Sequence, residues 1–333
     1  MKEQNYPPYI LTNIMINYIS EITRKITEID YLNLDKKPEL RKQNRINSIY
    51  SSLAIEKNPL SRKQVEDIID GKIVMGKQKD IQEVKNAYMA YERISSINPY
   101  SVEELKNTHE IMTFLIQEDN GKFRNHGEAV YNGDKMIFLA PPHNRVPELM
   151  DNLFEWMNNS KNTVHPLILS SVFHYEFVFI HPFSDGNGRM ARLWQTAILS
   201  KWNVMFEYMP IENIIKRHQQ EYYKTINECD KIGNSTIFIE FMLEIIDETI
   251  EELLKRSRNS ENNETESLND TEKEALDYIY KNELVSTKEL AEYLGKADRT
   301  ARRIVSVLLE KGLITYKGRD KNDPNIRYKK MSD

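Results

Sequence analysis

The stretch HPFSDGNGRMAR, residues 181–192, governs the reading of this chain. The apolar run LILSSVFHYEFVFI, Leu167 to Ile180, has helical length, and Pro182 ends it, because the proline ring crowds the residue before it and excludes a helix through His181. Turn formers Ser184, Asp185, Gly186, Asn187 and Gly188 follow. Apolar spacing resumes at Met190, Leu193, Trp194, Ala197 and Ile198, which predicts a second helix starting near Gly188 or Arg189. A glycine loop that runs into a helix N-terminus offers free N–H groups and the positive end of the helix dipole to an anion, phosphate above all. Arg189 and Arg192, three apart on the first turn, can face the same anion. Asp185 supplies a hard oxygen of the kind Mg²⁺ takes beside phosphate. His181 is the group in this loop whose pKa suits accepting a proton near neutrality.

With those residues in place, HPFSDGNGR resembles the signature of the Fic family, HPFx(D/E)GN(G/K)R, at every fixed position. Members of this form transfer a nucleotide monophosphate, usually AMP from ATP, to a Ser, Thr or Tyr hydroxyl of a target protein. The resemblance implies His181 as the base for that hydroxyl and Asp185 as the Mg²⁺ ligand. It places Phe183 in the nucleotide-binding loop, gives Gly186, Asn187 and Gly188 to the α- and β-phosphates, and gives Arg189 and Arg192 to the β- and γ-phosphates. Gly188 before Arg189, where Doc-like phosphate-transferring relatives carry Lys, fits nucleotidyl transfer. A zinc or iron site using His174, His181 and Asp185 is the competing metal reading, but Pro182 breaks the shared helix and no fourth ligand is evident. His174 therefore reads as a hydrogen-bonded core histidine.

A second resemblance lies upstream. SLAIEKN, Ser52 to Asn58, is similar to the inhibitory motif (S/T)xxxE(G/N) of autoregulated Fic proteins, with Ser52 and Glu56 in the fixed places and Lys57 departing where Gly or Asn is usual. That resemblance implies a helix whose Glu56 pairs with Arg192 and obstructs the γ-phosphate. A carboxylate on that guanidinium competes with phosphate for the same fork. In some relatives this glutamate also helps remove AMP, so the reverse reaction stays open.

Apolar stripes predict helices over Tyr9 to Leu32, Ile46 to Ala54, Lys79 to Ser96 and Val102 to Leu115, with Ser61 capping a short helix to Ile69 and Ser101 capping the last of these four. In GKFRNHGEAVYNGDKMIFLAPP, Ala129 to Tyr131 and Met136 to Leu139 flank the turn Asn132, Gly133 and Asp134, which is a short hairpin. The resemblance makes this hairpin a flap, including Tyr131, Asn132, Met136 and Ile137, that pairs with the target backbone, and assigns Arg124 to orienting it. Helices are expected at Pro147 to Asn158 and on either side of Gly233 and Asn234. The family sets an aromatic residue against adenine, so Tyr222 or Tyr223 is the candidate wall; core packing explains such a pair equally well.

Arg256 to Asp270, polar and almost free of apolar residues, reads as a linker. Beyond it a helix from Thr271, a second capped by Ser286, a third opening at Asp298 or Arg299 and a strand pair around GRDKNDPN resemble a winged helix-turn-helix. Residues 271–333 hold about 14 basic and about 11 acidic side chains within a chain of net charge -5, so this part is the basic one. Arg299, Arg302 and Arg303, with Lys317, Arg319 and Lys321 in the wing, are suited to DNA phosphates.

The expected architecture is mainly α: a helical region over 1–78 bearing the inhibitory motif, a Fic core over 79–255 with a β-hairpin flap, a linker over 256–270 and a winged helix over 271–333. The expected activity is protein adenylyltransfer, with ATP as substrate and Mg²⁺ as cofactor. Its alternatives are AMP removal and a DNA-binding regulator that uses the Fic fold as sensor. Targets are proteins bearing a hydroxyl, the chain itself included, and homo-oligomers stay open. MKEQNYPPY lacks the apolar core of a secretory signal, and no apolar run has membrane-spanning length, so a cytoplasmic, membrane-free protein is expected. The single cysteine, Cys229, reads as an inert buried thiol.

Overall fold

The computed structural model describes residues 7–31, 38–132, 135–318 and 326–330, with backbone alone at 30–31, 130–132, 135–138 and 257–266. Two compact units divide the chain, Met1–Ile250 and Glu251–Asp333. Within the first run α1 (Asn13–Tyr31), α2 (Pro38–Ile55), α3 (Arg62–Ile69), α4 (Gln78–Tyr91) and α5 (Val102–Met112). A hairpin of β1 (Ala129–Asn132) and β2 (Lys135–Leu139) follows, then α6 (Val146–Ser160), α7 (Pro166–Ile180), α8 (Asn187–Trp202), α9 (Ile211–Arg217), α10 (Gln219–Ile232) and α11 (Thr236–Glu266), which begins in the first unit and continues past Ile250 into the second.

The centre is α7 packed on α8. Both are buried nearly all round, α7 because its sequence is apolar on every face and α8 from Arg189 to Leu199. Phe173, Phe177, Phe183, Trp194 and Phe206 fill the space between them and their neighbours. Ser61 caps α3 in a reciprocal box with Gln64, and Ser101 receives the Glu104 N–H at the start of α5, as the sequence predicts. In the hairpin Tyr131 opposes Met136 and Asn132 opposes Lys135, and the register shifts between Val130 and Tyr131, a bulge that takes up Ile137. The turn residues Gly133 and Asp134 lie outside the described residues.

Three stretches differ from expectation. The helix predicted before Gly233 is two, α9 and α10, broken at His218, where Arg217 and His218 both reach Glu248 of α11 at 2.7 and 3.0 Å. The helix after the motif begins at Asn187, one residue or two early, because Gly186 takes the left-handed cap conformation at φ 81°. The polar run at 256–270 is not an irregular linker: α11 continues through Glu266. Its sequence has no Gly or Pro to stop it, and Glu251–Lys255 and Glu252–Arg256 pair one turn apart, each at 3.2 Å. The backbone there follows helix propensity.

The second unit contains α12 (Asp270–Lys281), α13 (Thr287–Leu294), α14 (Asp298–Glu310), β3 (Ile314–Lys317) and β4 (Arg327–Lys330), with capping boxes at Asn269 and Ser286. Its core joins Leu276, Ile279, Leu290, Ile304, Val305 and Leu308, and Val285 bridges Tyr328. Arg319 and Lys321, expected in the wing, lie outside the described residues. No described helix is long and apolar enough to cross a membrane.

Candidate active site

His181 terminates α7 in the left-handed conformation, φ 52°, ψ 58°. A residue with a Cβ adopts it at a cost of roughly 1–2 kcal/mol, and Arg124 over-determines it. That side chain is 2% exposed and donates from Nε to the His181 carbonyl at 2.7 Å and from Nη2 to Ile180 and Pro141, while its own N–H binds Pro182. Nη1 reaches the His126 carbonyl, so Arg124 ties both stems of the hairpin to the histidine. The His181 Nδ1 lies 3.3 Å from the Val178 carbonyl, which can only accept, so the proton sits on Nδ1 and the lone pair on Nε2. Burial pulls the His181 pKa below its ordinary value, which leaves the ring neutral at pH 7.

Asp185 is a half-exposed carboxylate. Its Oδ1 accepts from the Gly186 N–H at 2.6 Å and Arg189 Nη2 at 3.0 Å, and its Oδ2 from Gln117 at 3.1 Å. Burial would raise its pKa, but Arg189, Gln117 and the Gly186 N–H hold it below the usual carboxylate range. The loop is closed by Asn187, whose side chain bonds both backbone groups of Phe183, at 2.9 and 2.7 Å. The Asn187 side chain thus holds the loop from within, and the Phe183 ring is fully buried beneath it.

Arg189 and Arg192 are 3% and 2% exposed. Arg192 donates from Nε to the Ser52 hydroxyl and from Nη2 to the Ser52 carbonyl, both at 3.0 Å, and Nη2 meets Glu56 Oε1 at 2.8 Å. Burial would lower its pKa, but Glu56 and its neighbours hold it above the ordinary value. Among the described residues, Arg192 Nη1 and Arg189 Nε and Nη1 have no hydrogen-bond partner. The Glu56 carboxylate lies so close over Gly188 that a Cβ there would overlap it. The helix bearing it ends in a Schellman turn: Asn58 N–H bonds Leu53 O and Lys57 N–H bonds Ala54 O, each at 3.0 Å. Lys57 therefore occupies the left-handed C′ position, φ 67°, where the motif favours Gly or Asn.

The structure divides the tyrosine pair. Tyr222 is core, its hydroxyl 2.8 Å from His174 Nε2 and its ring against Phe238 and Phe241, whereas Tyr223 is 42% exposed. His174 is fully buried with both nitrogens engaged, the other by Gln195, and burial pushes its pKa down to about 3, so it is no ligand. Among the described residues no cluster of three or more His, Cys, Asp or Glu is arranged to hold a metal. Cys229 is buried, its pKa pushed up to about 11 by burial, an inert thiol. For Tyr131, Asn132, Met136 and Ile137 the backbone lies in the hairpin and the side chains fall outside the description.

Sequence reasoning missed the residues that brace the loop from α5 and the turn after it. His109 stacks on Phe183 at 3.6 Å; its Nδ1 receives the Gly121 N–H, so Nε2 carries the proton and donates to the Asp185 carbonyl at 2.9 Å. Burial pushes its pKa down to about 4. Ser184 donates to Asp119, and Arg189 Nη1 faces Glu83 at 3.6 Å. A lone histidine on an amphipathic helix gives no signal for such a role, since its partner lies 76 residues on.

Fold and site together define a helical protein built around a loop-and-helix anion cradle, carrying a separate winged helix. Known proteins give the same answer. The sequence model of the Fic/DOC family matches residues 99–199 and that of a winged helix-turn-helix DNA-binding family matches 268–315. A Fic family protein of solved structure from Desulfovibrio desulfuricans is 35% identical, with 98% of each chain covered and a TM-score of 0.73. The chain belongs to the Fic family. Fic-1 from C. elegans, 21% identical with a TM-score of 0.59, shares the fold over 74% of this chain. The protein adenylyltransferases Fic of Aedes aegypti and Culex quinquefasciatus are 28% and 29% identical over 216 residues, 62% of this chain. The chain spans 41% of the length of each of these two relatives.

Proposed function

We propose that this chain transfers AMP from ATP to a hydroxyl of a protein side chain, and that Glu56 restrains the transfer. The observation that carries the reading is the pair of buried arginines with unfilled N–H donors at the start of α8, beside a neutral histidine. A buried donor without a partner costs about 1–3 kcal/mol, and a triphosphate supplies the missing acceptors. The backbone N–H groups of Asn187 and Gly188 and the helix dipole add to the cradle. Asp185, a single hard carboxylate next to that cradle, fits Mg²⁺ shared with phosphate oxygens, and the ion when bound would neutralise triphosphate charge.

In this reading the acceptor hydroxyl attacks the α-phosphorus in line. The new O–P bond forms as the bond to the bridging oxygen breaks, His181 Nε2 takes the hydroxyl proton, and pyrophosphate leaves. Arg189 and Arg192 bear the charge gathering on the departing group, so catalysis is positioning plus charge stabilisation. Tyr223 supplies the exposed aromatic face for adenine, and the hairpin backbone holds the target segment. Glu56, on the Arg192 fork, occupies the place of the terminal phosphate.

The test is label transfer from α-labelled ATP with Mg²⁺, with and without cell lysate. Glu56→Gly should raise labelling roughly tenfold or more, since each 1.4 kcal/mol of released restraint is tenfold. Adding His181→Ala should remove about 10²–10⁴ of it. Silence in Glu56→Gly, together with loss of AMP removal from a pre-modified protein in that variant, would reverse the assignment to AMP removal.

A second activity rests on its own observation. Arg299, Arg302 and Arg303 lie on the exposed face of α14, without ion pair or hydrogen bond among the described residues. Three unspent guanidinium groups on the helix that enters the major groove in winged helices support DNA binding by the second unit.

A further inference from the structure

We propose that Glu83 is a second gating carboxylate, acting on Arg189 as Glu56 acts on Arg192, and that it weakens the hold of the site on the β- and γ-phosphates. The inference rests on the transferase reading above. Arg189 is nearly fully buried and needs counter-charge. Asp185 meets its Nη2 in a hydrogen bond, whereas Glu83 Oε1 stands 3.6 Å from Nη1, too far for one. Glu83 thus contributes charge and leaves the Nε and Nη1 hydrogens open. An incoming phosphate oxygen would take those hydrogens and then sit beside a carboxylate of the same sign.

Glu83 cannot easily swing aside. Its Oε2 accepts from Asn58 Nδ2 at 2.8 Å, and Asn58 is itself fixed, donating also to the Asp80 carbonyl and accepting the Leu60 N–H. Asn58 is the residue two beyond Glu56 in the turn that ends α2. The two carboxylates are therefore mounted on one turn, Glu56 directly and Glu83 through Asn58, and each covers one motif arginine. Asp185 differs in kind: in the transferase reading it would face a cation when a nucleotide binds, and Glu83 has no such offset.

The discriminating experiment is calorimetric titration of the full chain with ATP and with AMP, comparing Glu56→Gly with Glu56→Gly/Glu83→Gln. The glutamine keeps an oxygen for Asn58 and removes the charge, and equal thermal midpoints confirm an intact fold. The expected result is ATP binding about tenfold tighter in the double variant, about 1.4 kcal/mol, with AMP, which lacks both outer phosphates, unchanged. ATP affinity unchanged or weakened would overturn the proposal, the latter making Glu83 a support for Arg189 instead. An equal change for both nucleotides would overturn it as well, since it would mark a general distortion. If Glu56→Gly alone binds ATP no better than the parent chain, the restraint assigned to Glu56 fails first and takes this inference with it.

Discussion

His181 shows how one residue is brought to the state a general base needs by three separate causes. Pro182 stops the helix, Arg124 fixes the left-handed turn, and the Val178 carbonyl chooses the tautomer. Burial then lowers the pKa, so the reactive form is the ordinary one at neutral pH. The sign follows directly: a base works deprotonated, so its activity rises with pH through its own pKa and is level above. In Glu56→Gly, kcat/KM for labelling should rise with unit slope through a pKa below 6.5 and stay flat from pH 7 upward. A profile still climbing between pH 7 and 8 would exclude His181, in this environment, as the base.

At the scale of elements, the C-terminus of α2 decides how firmly Glu56 is presented. Its Schellman turn needs a left-handed residue at position 57, and the chain supplies lysine there. Replacing Lys57 with glycine removes a Cβ from that conformation and should stabilise the fold by about 1 kcal/mol. The gain falls on the conformation that holds Glu56 over Gly188, so basal labelling should drop about fivefold while the Glu56→Gly background is unaffected. Denaturant unfolding together with label transfer reads both effects. A stabilised protein with undiminished basal labelling would separate the turn from the restraint. The departure from Gly or Asn thus reads as a weakened cap on the helix proposed to restrain transfer.

On the scale of the whole molecule, one chain carries an anion cradle in the unit Met1–Ile250 and a basic helix face in the unit Glu251–Asp333. The two proposed activities should be separable. Arg299→Ala/Arg303→Ala should weaken duplex binding and reduce the slope of log K against log salt by about 2, roughly 0.9 for each lost phosphate contact, leaving labelling by Glu56→Gly as it was. Fluorescence anisotropy over a salt series gives that slope. An unchanged slope would assign those arginines to another partner.

Much of the core could be read directly because its signals are local. A proline after an apolar run, glycines before an arginine pair and Ser-to-Gln or Ser-to-Glu cap spacings act within one or two turns of their own position, and α7, α8, α3 and α13 form where those signals stand. The family loop and the winged helix were legible for the same reason. At 256–270 the polar composition carried no signal for backbone state, and α11 runs on through Glu266. What the tertiary structure alone decided is how each residue of that loop is spent. Phe183 and Asn187 turn inward, Tyr222 joins the core while Tyr223 stays at the surface, and His109, Gln117, Asp119 and Glu83 arrive from distant segments to brace the cradle. Those contacts depend on which helices pack together, a property of the whole chain's burial, so no short window of sequence contains them.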